Sequence, residues 1–336
     1  MLKNLHELIL SHNNNYGFDP YVPIYNYLPK TVPSFSVIIP YFETGAIFKL
    51  TLKHLYNSIR TVQGYDHNVE FEVIVVDDGS VVEKRAKDIV STNDWQNLNI
   101  IVDNQNLGRT SSRNIGLKNA SKEICIFMDS DVLIDTSLIF SALKIHSYNY
   151  FKNNRRCITV GFFKFTNSSD PLIKYDLITP SDVQLNDYRL YCTYGPTWIH
   201  SEEDKQFVGQ SFSIVHETNF FRDWKGNWKA WILPLMAMGG FYAVNRREAV
   251  NVGYFNESFK GYGYTETSVP SKLIAKYNDF LIPILSGGSI HVDDKITNIS
   301  REEKDRIFKI KHDFYYNKFL KLNIKEAEKD ILLDVI

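Results

Sequence analysis

The sequence predicts an α/β protein on a mostly parallel, doubly wound sheet. Three observations predict it. Four short apolar runs, rich in β-branched residues, recur between residues 35 and 128. Patterns of helical period lie between them. Acidic or turn-forming residues stop the runs, as at Pro40, Asp77-Asp78-Gly79 and Asp129. Runs of this kind fit buried parallel strands, and their alternation with helices gives right-handed βαβ units.

The elements follow in order. Residues 1–34 are polar and irregular, with Pro20, Pro23, Pro29 and an Asn run, and read as an arm in which order begins only at Phe35. FSVIIP (35–40), FEVIVV (71–76), NIIV (99–102) and EICIFM (123–128) are the four strands. Helices are expected at 46–62, 81–92 and 111–120. Past residue 150 the alternation fails. CITVGFFKF (157–165) and FYAVN (241–245) still read as strands, with long irregular segments between. A helix at 266–277, a strand at 280–285 and a charged amphipathic helix or helix pair at 300–335 complete the chain. No segment reads as a flexible linker. One body is expected, divided into 1–34, 35–150, 151–299 and 300–336.

Composition narrows the function. The chain has 336 residues, 38 Lys and Arg against 39 Asp and Glu, and a formal net charge of -1. A nucleic-acid binder usually carries a basic excess, so none is expected as partner. Cys125, Cys157 and Cys192 are too scattered for a disulfide framework or a zinc site, and fit a reducing, cytoplasmic setting. No run of about 18 apolar residues marks a membrane span. The start, MLKNLHELILSHNNN, lacks the long apolar region and cleavage site of a signal peptide. Aromatics crowd residues 188–264, as a large core or as a groove for ring-shaped ligands.

Ligands of such sheets bind beyond the C-terminal ends of the strands. There stand Asp77-Asp78-Gly79-Ser80 and Asp129-Ser130-Asp131. Acids and serines are ordinary turn and cap residues. Two carboxylates one residue apart after a buried strand, however, repel each other unless a cation joins them. Hard oxygen ligands suit Mg²⁺ or Mn²⁺ beside substrate phosphates. In NLGRTSSRNIGLKNA (106–120), Gly108 gives a turn, Ser111 or Ser112 can cap, and Arg109 and Arg113 stand at the helix start. Cations there oppose the helix dipole, so a bound anion is their expected purpose. The residues alone thus describe a metal–diphosphate site.

The ordered set VIIPYFE, VIVVDDGS, NLGRTSSRNIGLKNA and FMDSD resembles the N-terminal half of family-2 inverting glycosyltransferases with the nucleotide-binding GT-A fold, over roughly 35–150. The resemblance implies a UDP-sugar donor and a divalent metal, Mn²⁺ or Mg²⁺. It implies that Pro40, Tyr41 and Glu43 hold the nucleobase and ribose. Asp78, with Asp77 beside it, would read the uracil edge, and Arg113 would lie near the donor. Asp129, Ser130 and Asp131 match the Asp-x-Asp motif. The stretch MAMGGFYAVNRREAVNVGYFNESFKGYGYTETSV (236–269) looks like the acceptor region of galactosyl and N-acetylgalactosaminyl transferases and capsule polymerases, enzymes of surface polysaccharide. There a Gly-Gly strand, here including Gly240, precedes a Gly-aromatic-Gly turn and an adjacent Glu-Asp pair. GYGYTET has Thr265-Glu266 in those places. Glu266 takes the position of the general base, and Tyr262, Tyr264 and Thr265 that of acceptor contacts. His291 in SGGSIHVDD matches a late histidine that completes the metal site, with Asp293 or Asp294 able to orient it.

The expected function is therefore transfer of a hexose or N-acetylhexosamine to a glycan, lipid-linked or peptide acceptor. Trp198, Trp224, Trp228 and Trp231 are further groove candidates, with core packing at least as good a reading. The basic residues among 304–321 could touch an anionic membrane surface, although the interleaved acids favour a solvated packing helix. Two alternatives stand beside this: a nucleotidyltransferase, disfavoured by the single Gly and Lys of PYFETGAIFK, and a non-catalytic sugar-nucleotide binder, raised by the missing acid at Thr265.

Overall fold

The computed structural model describes residues 2–14, 16, 27–183, 233–237, 239–261, 263–284, 286–292 and 300–329. Its centre is a seven-stranded sheet in the order β3-β2-β1-β4-β8-β6-β9. The strands are β1 (Phe35–Tyr41), β2 (Phe71–Asp78), β3 (Leu98–Asp103), β4 (Ile124–Phe127), β6 (Cys157–Val160), β8 (Tyr242–Asn245) and β9 (Phe280–Pro283). All run the same way except β8, which is antiparallel to both β4 and β6. A three-stranded sheet stands apart, with β10 (Ser289–Val292) between β5 (Val132–Ile134) and β7 (Phe163–Thr166).

Alternate residues of each central strand feed opposite faces, and both faces are covered. Phe35, Val37 and Ile39 pack with helices α2 (Ile47–Tyr65) and α4 (Leu138–Tyr148). Ile38, Ile74 and Val76 face the other layer, which holds α3 (Arg109–Asn119), α6 (Ser268–Tyr277) and α7 (Arg301–Asn317). Burial on both sides makes these strands read as unbroken apolar runs. Helix α5 (Arg246–Asn251) follows β8.

Several expectations are corrected. The segment 81–92 is not one helix but a 3₁₀ turn, Val82–Lys84, and a single turn, Ala86–Ile89. The Asp77 carboxylate accepts from the Ala86 amide at 2.7 Å and starts the second turn there. The run 157–165 divides into β6 and β7, which join different sheets. Order begins before Phe35. Helix α1 (Leu5–Leu10) is closed by an Asn4/Glu7 capping box and packs against α6. Beyond it, buried Asn14 pairs with the edge strand β9: its side-chain amide donates to the Leu281 carbonyl and accepts from the Leu281 amide, each at 2.8 Å. No helix among the described residues is long and apolar enough to cross a membrane.

Candidate active site

The parallel strands deliver their C-terminal ends to one edge, and reversed β8 begins there. The loops after β1, β2, β3 and β4 and the turn before β8 therefore meet. Pro40 and Tyr41 end β1. The Tyr41 hydroxyl is buried, donates to the Lys84 carbonyl at 2.7 Å and accepts from the Gly45 amide at 3.2 Å. Glu43 pairs with Lys84 at 3.1 Å, and its amide donates to the Ser80 hydroxyl at 3.0 Å. Asp77 accepts from the amides of Ser80 and Ala86. Asp78 accepts from those of Leu107 at 2.7 Å and Gly108 at 2.9 Å. Burial pushes the Asp78 carboxyl above its usual range, against the pull of these amides. Gly79, at φ 75°, lets the loop through, since a Cβ there would lie 2.6 Å from the Asn106 nitrogen. The predicted nucleobase residues are thus gathered, but Tyr41, Asp77 and Asp78 spend their polar atoms on the loops themselves.

The acids after β4 lie deeper along the edge. The Ser130 hydroxyl meets that of Thr44 at 2.5 Å, and its carbonyl accepts from Thr51 of α2 at 2.8 Å. Asp131 immediately precedes β5, whose Val132 is opposite His291 on β10. Asp135 fastens the other end of that pairing: its carboxylate accepts from the Gly288 amide at 2.5 Å, while its own amide donates to the Gly288 carbonyl at 3.1 Å. Burial raises the Asp135 carboxyl to about 6. His291 Nε2 lies 3.6 Å from Asp131 Oδ1. One atom each from Asp129, Asp131 and His291 falls within 4.8 Å of the others. Two carboxylates and an imidazole at this spacing form a donor set that fits Mn²⁺ or Mg²⁺. The ring of Phe163 flanks His291 at 5.5 Å between centroids, and a Cβ on Gly240 would run into that ring. It is Gly239, rather than Gly240, whose backbone lies against the Asp129 carboxylate with no room for a side chain.

Arg113 joins this corner to the other acid. It is fully buried on α3. Its Nη2 lies 3.0 Å from Asp129 Oδ1 and 2.8 Å from Glu266 Oε1, and its Nη1 donates to Thr265 Oγ1 at 3.2 Å. Burial works against the guanidinium charge, but Glu266 and Asp129 more than offset it and hold Arg113 protonated. Arg109, the first residue of α3, reaches solvent, with protein close on its other sides. Burial opposes its charge, and Asp129 and Glu266 favour it. Thr265 and Glu266 are both buried, and the Thr265 hydroxyl donates to Glu266 Oε1 at 2.6 Å.

Tyr264 stands apart from this cluster. It adopts φ 60° and packs its ring against Phe308 and Tyr315 of α7, both centroids at 5.2 Å. Tyr262, Trp198, Trp224, Trp228, Trp231, Asp293, Asp294 and Cys192 lie outside the described residues. Sequence reasoning missed Gly239, Asp135 and Phe163. The Gly-Gly pair was the one signal able to point to the first.

Comparisons with known proteins bear on the family and the fold. The model of the family described as "Glycosyl transferase family 2" matches residues 36–252. The uncharacterized glycosyltransferase YfnE of Bacillus subtilis (strain 168) is 24% identical over 265 residues, which cover 71% of this chain and 59% of that protein. A poly(ribitol-phosphate) beta-glucosyltransferase of Bacillus spizizenii is 27% identical over 164 residues, 48% of this chain and 24% of its own length. This chain therefore spans less than two thirds of either relative. The crystal structure of GalNAc-T7 with UDP, GalNAc and Mn²⁺ is similar in fold, with a TM-score of 0.52 at 15% identity, covering 90% of this chain and 54% of that one.

Proposed function

This chain belongs to glycosyl transferase family 2 and has the GT-A fold, and on that footing we propose that it transfers a hexose or N-acetylhexosamine from a UDP-sugar to a hydroxyl of a glycan, lipid-linked or peptide acceptor, inverting the anomeric centre. The observation that carries this reading is the convergence of Asp129, Asp131 and His291 within 4.8 Å, joined through Arg113 to Glu266. The acceptor oxygen attacks the anomeric carbon, the bond from that carbon to the diphosphate breaks, and its electron pair leaves with UDP. Glu266 takes the acceptor proton as the nucleophile forms its bond. Asp129, Asp131 and His291 would hold a divalent cation, which neutralises charge on the departing diphosphate. Arg109, at the rim, adds positive charge on the same side. The loops of Pro40–Glu43 and Asp77–Ser80 offer the nucleobase its seat. Two supports come from outside the chain: a structural neighbour was solved with UDP and Mn²⁺, and one relative is named as a glucosyltransferase.

Glu266→Gln tests the assignment. The variant should lose at least about 100-fold in kcat, a typical contribution of a general base. Its melting point should still rise with UDP and Mn²⁺, because a ligand of the folded state raises Tm. Turnover at the wild-type rate would remove Glu266 as the base. Release of pyrophosphate in place of UDP would make the chain a nucleotidyltransferase.

A further inference from the structure

We propose that Thr265 is a positioning residue that, together with Arg113, fixes one oxygen of Glu266 and so reserves the other for the acceptor proton. The proposal rests on Glu266 being the base, and extends that reading to a residue first expected to touch the acceptor.

The local chain is rigid before either side chain acts. Gly263 and Tyr264 both take positive φ, 83° and 60°, and turn the backbone sharply. The Tyr264 carbonyl accepts from the Thr267 hydroxyl at 2.9 Å and from the Thr267 amide at 3.3 Å. The Tyr264 ring is gripped by α7. Residues 265 and 266 are thus presented from a braced turn. Thr265 is 2% exposed, so its hydroxyl is not available to a sugar.

That hydroxyl is used twice. It accepts from Arg113 Nη1 and donates to Glu266 Oε1. Arg113 Nη2 approaches the same Oε1. One carboxylate oxygen therefore meets two donors, and among the described residues Oε2 has no hydrogen-bond partner. A carboxylate held in this way cannot rotate about its terminal bond without breaking a hydrogen bond and an ion pair. Its lone pairs on Oε2 then point in one direction, which is the condition for efficient proton transfer. A threonine suits the place better than a second acid. A carboxylate at 265 would bring a third negative group to Arg113 and would repel Glu266, whereas a hydroxyl both donates and accepts without charge.

Thr265→Val keeps the shape and removes the hydroxyl, and Thr265→Ser restores it. Two measurements on the full chain decide. The first is a crystal structure of each variant. In Thr265→Val, Glu266 Oε1 should leave Arg113 and the carboxylate should turn, while Thr265→Ser should recover the short bond. The second is UDP release from UDP-glucose, UDP-galactose, UDP-GlcNAc and UDP-GalNAc with Mn²⁺. Thr265→Val should lower kcat about 10- to 100-fold with KM unchanged, as loss of an orienting partner does, and Thr265→Ser should recover most of it. A carboxylate unmoved in the valine variant overturns the proposal, as does undiminished turnover, or a serine variant as slow as the valine one. Failure of the base assignment would show elsewhere, in normal turnover by Glu266→Gln, and the valine crystal structure would still judge Thr265.

Discussion

At Asp129, Arg113 takes one carboxylate oxygen, and the Gly239 backbone presses against the carboxylate. Gly239 has no positive φ, so an alanine there meets no backbone strain and acts only by displacing Asp129. Gly239→Ala should therefore weaken Mn²⁺ binding about 10- to 100-fold in calorimetric titration with the fold retained. Unchanged affinity would show that the carboxylate has other room. At this scale the sequence was half legible. The Asp-Ser-Asp run after an apolar strand declared itself, because carboxylates so placed have few structural uses. Arg113 was visible as a charge at a helix start, but its direction was not. It turns inward between two acids rather than outward to an anion. Thr265 was noticed as a departure from pattern, and only its hydrogen bonds reveal its use.

The strands of the central sheet were legible, and β5 and β10 of the small sheet were not. Strands β1 and β2 are buried on both faces, which writes an unmistakable apolar run. Strands β5 and β10, of 3 and 4 residues, are too brief to establish a period, yet β10 carries His291. Helix α4 escaped because it is buried on nearly every side and shows little amphipathic contrast. That burial has a consequence for pH. His146 on α4 is enclosed, and desolvation lowers its pKa to about 3 from 6.5. Below pH 6.5 the unfolded chain therefore binds a proton that the folded one refuses, and stability is lost as the pH falls. Buried carboxyls such as Asp135 act in the opposite sense, so the effect is best read as a difference between variants. Relative to His146→Gln, the wild type should lose roughly 2–3 kcal/mol between pH 7.5 and pH 4.5 in urea unfolding. A pH-independent difference would contradict the burial.

The whole molecule must also manage the free edges of its sheet. Strand β9 is one of them, and an unpaired edge invites association with another chain. Asn14 closes it with a side chain that imitates a neighbouring strand. Asn14→Ala should lower stability by about 1–3 kcal/mol, because it leaves the Leu281 amide and carbonyl without those partners. It should also raise light scattering on heating. A variant as stable and as dispersed as the wild type would reduce the arm to a bystander. None of this was legible beforehand, since one asparagine in a polar, Asn-rich stretch carries no period and no motif.

The same arm has a second attachment. The Leu5 amide donates to the Leu322 carbonyl at 2.9 Å, and Asn4 and Asn323 form an antiparallel bridge. Residues 4–5 and 322–323 thus form a seam beside α6, the helix that begins just after Glu266. Slackening at that seam reaches Glu266 through a single helix, so on the proposed mechanism the packing of α1 helps to steady the proposed proton acceptor.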